Sequence, residues 1–352
     1  MLAELARAVA EDLERDSIPS WGWGKKKRRV KLIDGSTVSM PDTLQNQAEY
    51  PQPESQTPGV GFPIARVVAV ISLATGAVMD FAIGPYQGKE TGEHALLRKL
   101  LHCLRPGDIA LADSYYCSYF LIVMLMRLGV DVVFRLHGGR DYDFRRGERL
   151  GKDDHIVTWD KPQRPSWMDK ETYAKMPPEL IIREVRERRQ SSDEDLVVAT
   201  TLLSPNHNPK QKLIELYRDR WCCELDLRSI KSTMQMGILR CKTPQMVRKE
   251  IWAQLLAYNL IRKVIAQAAE KHDVRPREIS FKGALQTINV FLAMSSVPGA
   301  IPQNLYDEML AAIASHRVGD RPGRREPRAV KRRPKLTRWL KVPRAEARKA
   351  LQ

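Results

Sequence analysis

The stretch YRDRWCCELDLRSIK, residues 217–231, orders the reading of the whole chain. On a helix at 100° per residue, Tyr217, Arg220, Glu224, Arg228 and Lys231 fall on one narrow stripe, because their spacings are 3, 4, 4 and 3. One carboxylate stands there among three cations and a phenol. Taken alone, such a stripe is most often a solvated helix face laced by i,i+4 ion pairs. Two features argue for chemistry instead. The stripe carries Tyr217 and is bordered by Trp221, and two further carboxylates, Asp34 and Asp113, occur upstream in settings that could bring them to Glu224.

The pattern Y-x2-R-x3-E-x6-K is complete at Tyr217, Arg220, Glu224 and Lys231. Asp34 lies in VKLIDGSTVSMPDT at 30–43, and Asp113 in GDIALADSYYCSY at 107–119. Four residue types at fixed spacing, preceded in order by two aspartate segments, resemble bacterial insertion-sequence transposases of the DDE type. The likeness runs from about residue 21 to about residue 289.

Much follows from that resemblance as expectation. It implies catalytic, metal-binding roles for Asp34, Asp113 and Glu224, with two magnesium or manganese ions. It implies that Tyr217, Arg220 and Lys231 grip the transferred DNA end, and that Arg135, by its distance from Asp113, contacts a phosphate. Trp221 follows Arg220 as in the family; it stacks on an extruded base or packs the helix, and packing is the preferred half. Trp159 or Trp167 is a candidate for holding a flipped base, and the two are not separated. The expected partners are double-stranded DNA at terminal inverted repeats and at the target, with a homodimer assembled on it. The expected place is the cytoplasm, at the nucleoid. The expected reaction is 3′-end nicking, a hairpin intermediate and strand transfer. About 30 residues precede Asp34, where relatives carry a helical end-reading domain, so the chain reads as an N-terminally shortened copy.

The residue types suit this chemistry on their own terms. Phosphodiester transfer with two metal ions needs a few clustered carboxylates. Magnesium prefers oxygen ligands and keeps several waters, so two or three carboxylates suffice. Asp34 by itself reads as an Asp-Gly turn, and Asp113 before Ser as a capping residue. Their convergence with Glu224 favours the catalytic reading. The competing readings are a ribonuclease-H-like nuclease without strand transfer and an inactive transposase-derived DNA-binding protein. The complete set of three acids and the full motif disfavour the latter.

Element order supports an α/β fold of the ribonuclease-H-like class, with helices on both faces of a mixed sheet. Strands are expected at 30–40, 64–73, 77–83, 108–112 and 130–136, and helices at 91–104, capped by Thr91, and 119–128. The first and fourth strands are neighbours in that fold, so Asp34 and Asp113 would lie side by side. Residues 2–13 read as an amphipathic helix, 17–24 and 42–61 as loops. Residues 138–201 hold prolines and short alternating runs, a mainly β insertion. Pro209 opens a long helix to about 236, followed by helices at 247–271 and 281–292. The corresponding divisions are 1–29, an N-terminal helix and basic linker; 30–137 and 206–295, two parts of the catalytic domain; 138–205, the insertion; and 296–352, a C-terminal helix and basic tail.

The chain has 352 residues and a formal net charge of +16, so a polyanionic partner is expected. Residues 317–352 hold 14 Lys and Arg against 3 Asp and Glu, so the tail carries most of the excess. It reads as weakly ordered. Trp21 and Trp23 beside the basic run 25–29 suit nucleic acid or a surface loop with one ring in the core, and both readings stand. Five cysteines without a C-x-x-C pair favour reduced thiols over disulfides or zinc. The apolar run 120–130 is short and broken by Arg127, a buried helix and not a membrane span.

Overall fold

The computed structural model describes residues 1–188, 195–295, 304–319 and 340–350. Helix α1 (Leu2–Trp21) leads into β1 (Val30–Ser39), α2 (Leu44–Glu49), β2 (Ile64–Ser72), β3 (Val78–Pro85), α3 (Glu93–Arg98), β4 (Ile109–Ala112), α4 (Tyr119–Arg127) and β5 (Asp131–Arg135). Then come β6 (Glu148–Gly151), β7 (Asp154–Asp160), α5 (Lys170–Ala174), β8 (Glu179–Glu187) and β9 (Leu196–Thr200). The rest is helical: α6 (Lys210–Arg218), α7 (Trp221–Arg228), α8 (Pro244–Lys271), α9 (Phe281–Ser295), α10 (Leu305–Ser315) and α11 (Arg344–Lys349).

The strands form one sheet in the order β3-β2-β1-β4-β5-β9-β8-β7-β6. Strands β1, β2 and β3 pair antiparallel, while β1, β4 and β5 pair parallel. This is the ribonuclease-H-like arrangement. The parallel strands are nearly continuous apolar runs because both faces are covered. Alternation then sorts their side chains. Leu32, Val67, Ile109, Leu111 and Val133 join one core cluster, and Ile33, Val68, Ala110, Ala112 and Val132 join the other. Helices α6 to α10 cover the first face, while α3 and α4 cover the second.

The insertion at 138–201 is β-rich as expected, but it is not a separate layer. Strand β9 pairs antiparallel with β5, so Arg135 lies opposite Val198 and the insertion prolongs the central sheet. Other departures are local. Helix α1 passes residue 13 and takes in Pro19, where a loop is expected. Its Glu14 forms a buried ion pair with Lys31, and Asn259 of α8 donates to the Ala6 carbonyl at 3.0 Å. Tertiary contacts thus extend the helix. The expected loop 42–61 contains α2, capped by the Thr43 hydroxyl. The expected helix 91–104 shrinks to α3 and a 3₁₀ turn at Leu101–Cys103, and its cap is Gly92, not Thr91. The Thr91 hydroxyl donates to the Gly88 carbonyl instead.

The long helix expected at 209–236 is three pieces. Helix α6 ends at Arg218, α7 starts at Trp221, and Ser229–Thr233 is a π-turn. A π-turn inserts a residue into the ladder and is frequent at functional sites. The stripe drawn from ideal periodicity is therefore displaced at both ends. The basic tail lies mostly outside the described residues. All five cysteines are free. No helix among the described residues is long and apolar enough to cross a membrane.

Candidate active site

Strands β1 and β4 run parallel with Leu32 opposite Leu111. Two residues further on stand Asp34 and Asp113, so the register sets the two carboxylates against each other. The Asp34 carboxylate accepts from the Gly35 N–H at 2.8 Å. That of Asp113 accepts from the Tyr115 N–H at 2.9 Å and caps the turn Ser114–Tyr116. Asp113 is thus a capping residue, whereas Asp34 lies inside a strand and not in a turn.

Charge in this corner is poorly compensated. Burial pushes the Asp34 carboxyl up to about 6, against the pull of the Gly35 N–H; the charge of Asp113 raises it further, Arg220 opposes, and Glu93 adds to the rise. Glu93 is a neighbour that the sequence reading missed. Its carboxylate lies over Gly35, where a Cβ would fall 2.2 Å from Glu93 Cδ. The Tyr116 hydroxyl donates to Glu93 Oε2 at 3.0 Å. Burial raises the Glu93 carboxyl also. The signal available was thin: a Glu at the first turn of a helix, beside His94.

Glu224 stands in the first turn of α7, which packs on β1. Its Oε1 accepts from Arg220 Nη2 at 2.7 Å. Arg220 is 19% exposed and Glu224 39%. The same guanidinium acts on Asp34. Arg220 therefore serves as a counter-charge between the third carboxylate and the first. Within the π-turn, Lys231 donates to Ser36 Oγ at 2.7 Å, two residues beyond Asp34. Burial lowers the Lys231 ammonium from its ordinary value. The Tyr217 ring is buried in the core, with the charges of Arg220, Arg135 and Asp113 acting on its hydroxyl.

Among the described residues, no three His, Cys, Asp or Glu side chains form a group that could hold a metal ion. Asp34 and Asp113 follow neighbouring positions of β1 and β4, and Glu224 pairs with Arg220. As a donor set, the pair fits a hard divalent cation, since it offers carboxylate oxygens.

The aromatic expectations sort themselves differently. Trp221, for which packing is the preferred reading, is 56% exposed. Trp159 is buried, donating to Glu184 at 3.0 Å beneath Arg140. Trp167 is partly exposed under Arg98, whose guanidinium lies 4.0 Å from the ring centroid. Trp21 and Trp23 are partly buried against the core. Arg28 and Arg29 of the basic run pair with Asp131 and Asp108. That run borders a cavity of about 600 Å³ at the starts of β1 and β4, away from the carboxylates.

Residues 25–260 match the family described as the transposase DDE domain. The chain belongs to that family. It is 28% identical over 311 residues to the transposase InsG for insertion sequence element IS4 of Escherichia coli (strain K12), covering 86% of this chain and 67% of that relative. A solved piggyBac transposase synaptic complex with hairpin DNA aligns with a TM-score of 0.44 and 9% identity. That alignment covers 84% of this chain, which spans 58% of the piggyBac chain. Membership of the DDE family implies a divalent metal and a DNA partner for this transposase.

Proposed function

We propose that this transposase cleaves and rejoins phosphodiester bonds at the ends of an insertion sequence, with Asp34, Asp113 and Glu224 as its catalytic carboxylates. The observation that carries the reading is the parallel β1–β4 register, which brings Asp34 and Asp113 to neighbouring positions, with burial and the charge of Asp113 raising the Asp34 carboxyl. These two carboxylates, joined by Glu224, would hold magnesium or manganese. When bound, the pair of ions activates the attacking oxygen and stabilises the leaving one.

The protein's own groups prepare this. Arg220 keeps Glu224 on the α7 stripe, and release of Glu224 frees the guanidinium for a phosphate, which it can grip with two parallel hydrogen bonds. Lys231 brings a point charge to the end of β1. Exposed Trp221 adjoins Arg220 and offers a ring to an extruded base. The natural substrate is duplex DNA carrying terminal inverted repeats, engaged by two copies of the chain.

The test is nicking of an end-containing oligonucleotide with magnesium or manganese, beside a retention assay. Asp34→Ala, Asp113→Ala and Glu224→Ala are each expected to abolish nicking while leaving retention largely unchanged. Equal loss of both would reassign that residue to folding.

A further inference from the structure

We propose that the cavity at the starts of β1 and β4 binds a nucleotide, its base directed at Glu14 and its phosphate held by Lys26 and Lys27. This does not depend on the catalytic reading above: Lys31 at the cavity and Asp34 are three residues apart on β1, so their side chains take opposite faces of the sheet. The cavity measures about 600 Å³, a size suited to a small-molecule ligand. Helix α1, the turn at 22–29, the start of β1 and the segment 103–107 before β4 enclose it. Its floor holds a buried ion pair between Glu14 and Lys31, in which Lys31 takes Oε2. Glu14 is 5% exposed, yet its Oε1 has no hydrogen-bond partner among the described residues. A buried carboxylate oxygen without a donor costs free energy, so a ligand that brings an N–H there is stabilised.

The rim has the opposite character. Lys26 and Lys27 are exposed there, and no carboxylate pairs with either among the described residues. Lys27 Nζ donates to the Ser20 carbonyl at 3.0 Å, an uncharged partner. Arg28, Arg29 and Arg105 pair with Asp131, Asp108 and Glu11, which leaves the two lysines as the uncompensated positive charge. The turn that carries them is fixed. The Trp23 N–H donates to the Arg28 carbonyl at 2.8 Å, and the Arg28 N–H to that of Trp23 at 2.9 Å. Ile18, Met79 and Pro106 add apolar surface to the lining.

Three requirements select the ligand. It carries an anion for the rim, a hydrogen-bond donor for the floor and a flat or apolar body between them. A nucleotide with an amino-bearing base meets all three. A polyamine meets the floor and is repelled by the rim. The backbone of duplex DNA meets the rim alone, because a phosphodiester accepts hydrogen bonds and has none to give Glu14. A free nucleotide and the unpaired end of a DNA strand present the same groups and are the two sources.

The experiment is calorimetric titration of the full chain with AMP, in chelator so that no metal draws the phosphate to the carboxylates. AMP is expected to bind saturably, and more weakly as salt rises. Adenosine, inorganic phosphate and purine riboside 5′-monophosphate, which lacks the amino group, should each bind at least roughly ten-fold more weakly, the factor that a hydrogen bond to a charged group supplies. These comparisons change the ligand alone and leave the fold untouched. The double variant Lys26→Ala with Lys27→Ala should weaken AMP by at least roughly ten-fold at an unchanged melting temperature. If it melts lower, Lys26→Ala alone replaces it. Three results overturn the site: no saturable heat with AMP, equal binding of AMP and purine riboside 5′-monophosphate, or an AMP affinity that the lysine variants do not move. In the first case solvent satisfies Glu14, and in the last AMP binds elsewhere. A single-stranded oligonucleotide that ends in a 5′-phosphorylated deoxyadenosine separates the sources. Displacement of AMP assigns the site to a strand end, and no displacement assigns it to the free nucleotide.

Discussion

Asp226 is the first place to press on the structure. It lies two residues beyond Glu224 on α7 and is fully buried. Its oxygens accept from Arg277 Nη1 at 2.8 and 2.7 Å, from the Tyr258 hydroxyl at 3.2 Å, and from Arg262. Arg262 comes from α8, and Arg277 from the 3₁₀ turn that follows it. The carboxylate therefore ties the helix carrying Glu224 to the helical layer. Asp226→Ala leaves two guanidiniums without their shared anion. Breaking a buried pair typically costs about 3–5 kcal/mol. Here the loss should sit near the low end, about 3 kcal/mol. The reason is that Arg262 keeps the Tyr258 hydroxyl and Arg277 keeps the carbonyls of Ser72 and Leu73. For a chain of this size that is a fall in melting temperature of roughly 4 °C. The assay is urea and thermal denaturation followed by circular dichroism. Replacing the trio together, Asp226→Leu with Arg262→Met and Arg277→Met, should recover most of the loss, because apolar groups of similar volume often substitute for a buried ion network without cost. A single-variant loss below about 1 kcal/mol would refute the clamp.

Asp34→Asn should stabilise the metal-free protein at neutral pH by about 1–3 kcal/mol. The sign follows from the raised carboxyl: the folded state holds its proton more tightly, so wild type loses stability as pH climbs from 3.8 through about 6. Urea titrations in chelator at several pH values should show the gain vanish below that window. Gly35→Ala drives a Cβ into the Glu93 carboxylate and should cost about 1–3 kcal/mol, with the Tyr116–Glu93 bond lost; a neutral result would mean that Glu93 swings away freely. Lys231→Met removes the bond to Ser36 and should slow single-turnover nicking of a pre-bound end more than it weakens retention of unrelated duplex. Nicking at the wild-type rate would return Lys231 to an ordinary surface role.

What could be read without coordinates is what depends on short-range pattern. Alternating and continuous apolar runs announced β1 to β5, since side-chain period and burial are local consequences of the pleat. The position of Asp34 in its strand and of Asp113 at the end of its own was legible for the same reason. Spacing on one helix likewise showed that Arg220 reaches Glu224. The places where this reading failed share a cause. The break between α6 and α7 and the π-turn at Ser229–Thr233 follow from packing against β1 and α8, which ideal periodicity cannot see. Glu93 reached the site because Gly35, far away in sequence, has no Cβ to exclude it. Trp159 is buried, and Trp221 exposed, by which face each element turns to its neighbours. Periodicity is encoded residue by residue, but pairing between distant segments is decided only when two surfaces compete to bury the same area. That competition made β9, and not solvent, the neighbour of β5, and left Glu224 on Arg220 beside the two aspartates.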